Sequence, residues 1–328
     1  MTLATNPATQ AASSTAGKAN RAAPRHTKQG WVRRLPPAVR ENLKGYVLLL
    51  PSLLFLSVFT YYPALYSLFL SFFKENAYTP TRVFIGLHNY ERLISDSTFW
   101  TVIRNNAIFS LGTIPVSLAF ALLLAILLNK RFRGVNLFRA VFFHPTLIPL
   151  VAAAALWLFI FLPRYGLLDH YFTGFLGGHE INWLGDPRYA LFAMMMLTIW
   201  KNAGYYMVFF LAGLQNIPAE LFDAANVEGA GAWKRLTLIT LPLLTPTTLF
   251  VLVVAIIGSF QWVDQVWMLT QGGPNNATNL LLYYIYQNAF KYFDFGYGST
   301  LTMVLVAILV ILAALSMRTM EKRVYYEN

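Results

Sequence analysis

Six stretches of this chain are each long and apolar enough to cross a bilayer's hydrocarbon core, about 30 Å thick, which takes about 20 helical residues. They fall at 46–73, 102–128, 140–162, 189–214, 243–269 and 296–317. No other feature limits the fold so strongly, because in lipid each backbone N–H and C=O must be satisfied internally, which leaves helices or a closed barrel. Strands alternating every second residue are absent, which disfavours a barrel. With 57% of its 328 residues hydrophobic and only 12% charged, the chain is too apolar for an ordinary soluble domain. The expected fold class is an all-α integral membrane protein with six transmembrane helices.

The net charge of +11 would fit a nucleic-acid partner if it were clustered, but it is distributed loop by loop in the manner that sets membrane orientation. Residues 1–45 carry eight Lys or Arg, among them Arg33, Arg34, Arg40 and Lys44, against the single acid Glu41. The loop after the second span holds Lys130, Arg131, Arg133 and Arg139 and no acid, whereas the loop before the fourth mixes Arg164 and Arg188 with Asp169, Glu180 and Asp186. Both termini are therefore expected in the cytoplasm. Residues 1–45 read as a basic cytoplasmic tail, mostly disordered, since 1–30 is rich in Ala, Ser, Thr and Asn with no apolar period. The segment 46–73 reads as a retained first helix, too long and too far from the start for a cleavable signal, with Pro51 and Pro63 as candidate bends. An outer loop follows at 74–101, with a short surface helix expected in 84–100. Residues 102–317 hold five further helices and a loop at 215–242, and 318–328 form a cytoplasmic tail. Pro145 and Pro149 predict a kink in the third span.

The loop is the informative segment. In "LQNIPAELFDAANVEGAGAWKRLTLITLP", Pro218 suits a first helical position, Glu220 and Asp223 suit the positive end of a helix, and Gly229 suits its stop, which predicts a helix over 218–228. Leu221, Phe222 and Ala225 can share an apolar face, and Ala224, Ala225 and Ala230 are small enough for another chain to approach. A second helix follows from Ala232 to Leu241, and Pro242 marks the start of the fifth span. One reading is an amphipathic helix lying on the inner leaflet. Against it, Glu220, Asp223 and Glu228 would face an anionic surface that repels them, so a groove on a protein partner is the better fit.

The sequence from Glu220 to Pro242 resembles the cytoplasmic signature of ATP-binding-cassette importer permeases: an acid, two alanines and a later glycine, met by Asp223, Ala224, Ala225 and Gly229, with Asp223 where glutamate is usual. "FIGLHNYERL", "RAVFFHPTLIP", "WKNAGYYMVFFLAGLQNIPAEL" and "LTQGGPNNATNLLLYYIY" resemble the branch that takes up carbohydrates and related polyols, and the first of its two paired permeases. The resemblance covers most of 46–320 and implies a type I ABC importer transmembrane domain in the bacterial cytoplasmic (inner) membrane. It further implies a heterodimer with a second permease subunit, two ATP-binding-cassette ATPase subunits and an extracytoplasmic solute-binding protein. In such permeases the loop helix, here 218–229, sits in a cleft of the ATPase and couples its closure to the spans. Glu220, Asp223, Ala224, Ala225, Gly229 and Pro242 are the candidate coupling residues.

No G-x-x-x-x-G-K-[ST] loop occurs, so ATP and Mg would be bound by the partner ATPase and no cofactor by this chain. With no cysteine and no helical histidine pair, no metal site and no catalytic residue is expected, and the chain is not expected to be an enzyme. Charges inside spans are costly, which singles out Lys201 and Asp264. Each fits either a solute path or a partner in the backbone or the second permease. Asp264, Trp262, Asn202 and Tyr205 are the candidate substrate path beside Lys201, since sugars need hydrogen-bond partners and aromatic faces. A neutral sugar or polyol is the leading solute. A glycerol-3-phosphate importer is the alternative, and a stand-alone secondary carrier a weaker one.

Overall fold

The computed structural model describes residues 37–130, 132–174 and 178–321; the disordered tail expected at 1–30, with Arg33, Arg34, Arg131 and residues 322–328, lies outside them. The chain divides at Tyr61 and Tyr62 into two compact units. The first contains α1 (Pro37–Leu56), which includes Pro51, and a π-helical turn, Ser57–Tyr61. The second begins with α2 (Tyr62–Leu70). The helical run Gly45–Leu70 is long and apolar enough to span a membrane, and its most apolar window is not buried at all.

The first span ends three residues before the expected Phe73, because Phe73 opens a hairpin that the sequence reading missed. Strands β1 (Phe73–Asn76) and β2 (Thr79–Phe84) pair antiparallel with Phe73 opposite Phe84, their ring centroids 5.2 Å apart. Buried Asn89 on α3 (His88–Ser95) donates to the carbonyls of Ser71 and Phe73, fixing the hairpin to that helix. The short helix expected within 84–100 is thus α3 alone. The next helix, α4 (Ser97–Leu128), starts five residues before 102, because the Asp96 side chain accepts from the Thr98 N–H and caps it.

The stretch expected as the third span is α5 (Val135–Leu147) and α6 (Leu150–Ile160), set at 100° across a break at Ile148 and Pro149. A proline at 149 has no N–H for the carbonyl four residues back, so the helix yields there. A short α7 (Leu167–Gly174) leads to α8 (Pro187–Gln215), capped by Asp186. After the loop helices, α12 (Thr245–Ser259) ends well before the expected 269; residues 261–263 are irregular and α13 (Asp264–Leu269) is a separate piece. The stretch expected as a continuous fifth span is therefore broken. α14 (Leu281–Tyr286) and α15 (Phe295–Glu321) complete the described chain.

Among the described residues, three helices are long and apolar enough to cross a membrane by themselves, and five spans result if each bent pair counts as one. α8 is not among the five, although its 29 residues make a helix about 43 Å long. It carries Lys201 and Asn202 at mid-length and packs most of one side against α4 and α5. One core joins α4, α8 and α12 through Leu124, Met207, Phe210, Leu244 and Val251. A second joins the start of α4 to α14 and α15 through Phe99, Val102, Leu281 and Leu301. Gly204 permits the closest crossing: a Cβ there would lie 2.0 Å from the carbonyl oxygen of Phe142 on α5.

Candidate functional site

The loop after α8 folds into two helical runs that meet at Gly229. Pro218 is the residue before α9 (Ala219–Val227), one position outside the helix rather than inside it as expected. At the far end, Gly229 has φ +75°, its N–H donates to the Asn226 carbonyl, and the Ala230 N–H donates to the Ala225 carbonyl at 2.8 Å. This pair of bonds is the Schellman closure, which needs a left-handed residue at the glycine position. The chain then turns into α10 (Ala232–Arg235), a π turn over Leu236–Thr240 and α11 (Leu241–Leu243), before a 66° bend into α12. Pro242 therefore lies within this second helical run, three residues before α12 begins. Arg235 donates from Nη1 to Asn226 Oδ1 at 2.5 Å and bridges the two loop helices.

The faces of α9 are distinct. Glu220, Asp223, Ala224 and Val227 are all exposed, and their spacing of three, one and three residues puts them on one stripe. Phe222 is half-buried and Ala225 buried, so of the candidate alanines Ala224 faces outward and Ala225 faces the chain's own helices. Leu221, placed with Phe222 and Ala225 on the apolar face, is 39% exposed. The exposed stripe is acidic at its start, where negative charge favours the helix.

Between α4, α8 and α12 lies a pocket of only about 10 Å³, room for about one water, lined by polar groups, among them Thr113, Ser117, Thr198, Asn202, Tyr206, Ser259 and Trp262. The structure thus brings together two candidate path residues, Asn202 and Trp262, from α8 and from the irregular turn after α12. It does not bring the other three there. Asp264 is exposed at the start of α13. Tyr205 packs edge-on against Phe209, away from the pocket. Lys201 donates from Nζ to the carbonyl oxygens of Ile148 at 2.6 Å and Pro145 at 3.1 Å. Beside the pocket, Gln265 is fully buried, and its Oε1 accepts from Thr198 Oγ1 at 3.2 Å. The sequence reading named Asn202 and Trp262 but missed the hydroxyls beside them and Gln265. Their signal was a helical spacing of isolated hydroxyls and amides in apolar runs: Thr113 and Ser117, Thr198 and Asn202.

Nearer the start of α4, "GGPNNAT" closes into a loop held by two asparagines of that helix. Asn105 Nδ2 donates to the Asn276 and Asn279 carbonyls, and Asn106 Oδ1 accepts from the Leu281 N–H at 2.6 Å. Asn275 and Asn276 have φ near +50° to +58°, a left-handed conformation that asparagine tolerates better than most residues. Asp96 joins the same end: the Tyr284 and Tyr297 hydroxyls each donate to its Oδ2 at 2.6 Å, and Arg92 lies 4.0 Å over the Tyr297 ring.

Residues 117–325 match the family described as binding-protein-dependent transport system inner membrane component. The chain is 34% identical over 289 residues to the sn-glycerol-3-phosphate transport system permease protein UgpA of Agrobacterium fabrum, covering 87% of this chain and 97% of that one. It is 33% identical over 270 residues to the trehalose/maltose transport system permease protein MalF of Thermococcus litoralis, covering 81% and 91%. A chain in the crystal structure of a bacterial alginate ABC transporter, in complex with an alginate pentasaccharide-bound periplasmic protein, superposes with a TM-score of 0.77. At 19% identity, over 89% of this chain and 98% of that one, the match establishes a shared fold.

Proposed function

The chain belongs to the family of binding-protein-dependent transport system inner membrane components, and we propose that it moves a sugar or polyol through an ATP-driven importer by alternating access. The observation that carries this reading is α9. A nine-residue helix of about two and a half turns ends in a Schellman closure, is bridged to its neighbour by Arg235, and leaves Glu220, Asp223, Ala224 and Val227 exposed in one stripe. That is the form of a helix held at a set angle for a groove on another chain. In this reading the partner is a separate ATPase that binds ATP and Mg, present in two copies. A second permease pairs with this chain, and an extracytoplasmic binding protein delivers the solute to the end carrying the "GGPNNAT" loop. The chain then crosses the bacterial inner membrane six times, with both termini in the cytoplasm, α8 being the sixth crossing: its polar middle faces the inside of the bundle rather than lipid.

The lining of this pocket, which has to widen to admit a solute, favours a neutral one. Thr113, Ser117, Thr198, Asn202, Tyr206 and Ser259 offer hydroxyl and amide partners, Trp262 offers a ring face, and among the described residues no cation lines it. Lys201, the cation at mid-length of α8, is held by backbone carbonyls. A glycerol-3-phosphate importer is the second reading, favoured by the likeness to UgpA, but a phosphate is expected to call for arginine or lysine in the pocket.

The test is to extract the tagged chain in mild detergent from its own membranes and identify by mass spectrometry what co-purifies in comparable amount. A second permease and a P-loop ATPase are expected. The chain alone, with uptake by the reconstituted protein that needs no ATP, would overturn the reading in favour of a secondary carrier.

A further inference from the structure

A groove of about 490 Å³ opens between the loop helices and the ends of α4 and α8, a size typical of small-ligand sites. We propose that it binds an anionic phospholipid of the leaflet on the loop side. Its apolar wall comes from Ile126 at the end of α4, Leu214 at the end of α8, and Phe222 on α9. Its charged rim comes from Lys130 and Arg235, and among the described residues no acid lines it. Trp233, 75% exposed, stands at the edge, where an indole ring suits the level of lipid headgroups.

The charges on this loop are segregated. Glu220 and Asp223 lie on the exposed stripe of α9 and do not line the groove. The groove adjoins a loop that holds Lys130, Arg133 and Arg139 without an acid. A soluble anion would leave Ile126, Leu214 and Phe222 uncovered, whereas a phospholipid satisfies both parts: phosphate on the guanidinium fork and ammonium, acyl chain on the apolar wall. Arg235 also holds Asn226 on α9, so a headgroup here sits one side chain away from the helix read above as the coupling helix. Only that consequence for coupling rests on the proposed function; the binding site does not.

The test uses the full chain, in the complex in which it extracts, placed in phosphatidylcholine nanodiscs with a minority of either brominated phosphatidylglycerol or brominated phosphatidylcholine. The readout is quenching of the fluorescence component that Trp233→Phe removes. Stronger quenching by phosphatidylglycerol is expected, with the preference lowered about fivefold in Lys130→Gln and abolished in Lys130→Glu, where the new carboxylate offsets Arg235. Lys130 is exposed, so neither variant threatens the fold. Equal quenching by the two lipids, a preference unchanged in both variants, or its loss on adding excess inorganic phosphate would overturn the proposal, the last by assigning a soluble-anion site. Quenching is read without ATP, so a failure here is distinct from a failure of the coupling helix to dock.

Discussion

Lys201 and Pro149 act on the same carbonyl. Pro149 has no N–H to give the Pro145 oxygen four residues earlier, and Lys201 Nζ donates to that oxygen at 3.1 Å and to the Ile148 oxygen at 2.6 Å. The cation thus sits on the negative end of α5, where positive charge is favourable. Lys201→Met keeps the stem and removes the donors; the Pro145 oxygen still accepts from the Ile148 N–H at 3.3 Å, so the loss falls on the Ile148 oxygen, and a carbonyl left unpaired costs about 1–3 kcal/mol. A lower Tm in detergent is therefore expected. An unchanged Tm with a raised KM for uptake would instead make Lys201 a solute ligand.

How much of this was legible in the sequence varies by element. The 100° break was announced by Pro145 and Pro149, because a missing N–H acts locally whatever surrounds it. Gly229 was legible for the same reason: a helix that must stop and turn calls for a left-handed residue. The hairpin at 73–84 was not, because its strands are too short to show alternation and are fixed by bonds from Asn89 to Ser71 and Phe73, 18 and 16 residues away in sequence. The break at 261–263 was hidden in a run whose apolar content suits a helix or a buried turn equally. Charge pointed to Lys201 and Asp264 as path residues, whereas the pocket is lined by neutral groups whose convergence depends on how three helices pack.

Gly204→Ala should separate α5 from α8. The added Cβ would stand 2.0 Å from the Phe142 carbonyl oxygen, a backbone atom that cannot swing aside. Overpacking of this kind costs about 1–3 kcal/mol, seen as a lower Tm and reduced recovery from membranes. A variant of wild-type Tm would show that the crossing has slack.

Asp96 gives a stability difference with a definite pH sense. Burial pushes its pKa up, but the Tyr284 and Tyr297 hydroxyls and the Phe99 and Thr98 N–H groups together outweigh this and hold it below the ordinary carboxylate value. A carboxylate with a lowered folded-state pKa contributes in full above its unfolded value, near about 3.9, and the contribution is lost as pH falls through the folded value. The Tm gap between the native chain and Asp96→Asn should be constant from neutral pH to about pH 5 and shrink below about pH 4. A gap that stays constant into acid would mean that the two tyrosines bond a neutral amide as well as they bond the carboxylate.

For the solute path, Asn202→Ala and Trp262→Ala remove groups that line the pocket. Each should raise the KM for uptake, by about tenfold if a sugar hydroxyl bond worth about 1.4 kcal/mol is lost. Asp264→Asn separates the remaining possibility, because Asp264 is exposed at the start of α13. If the pocket is the site, Asp264→Asn changes KM little; if Asp264→Asn alone impairs uptake, the path runs past α13 instead.

Gly229 is constrained by its backbone angle and not by space. Nothing lies within 4 Å of a Cβ built there, yet φ is +75°, where an L side chain costs about 1–2 kcal/mol and a β-branched one more. Asparagine visits this region readily. Uptake per ATP hydrolysed by the complex should therefore fall from the native glycine through the asparagine and alanine variants to the valine one. The Tm of the bundle should stay nearly constant, because the strain is confined to the turn between α9 and α10. Gly229→Val is expected to reach the membrane and lose transport while its ATPase activity no longer responds to solute. Wild-type uptake in that variant would show that the angle between the loop helices does not govern coupling, and equal loss in Gly229→Asn would point to a partner chain that fills the open space over the glycine.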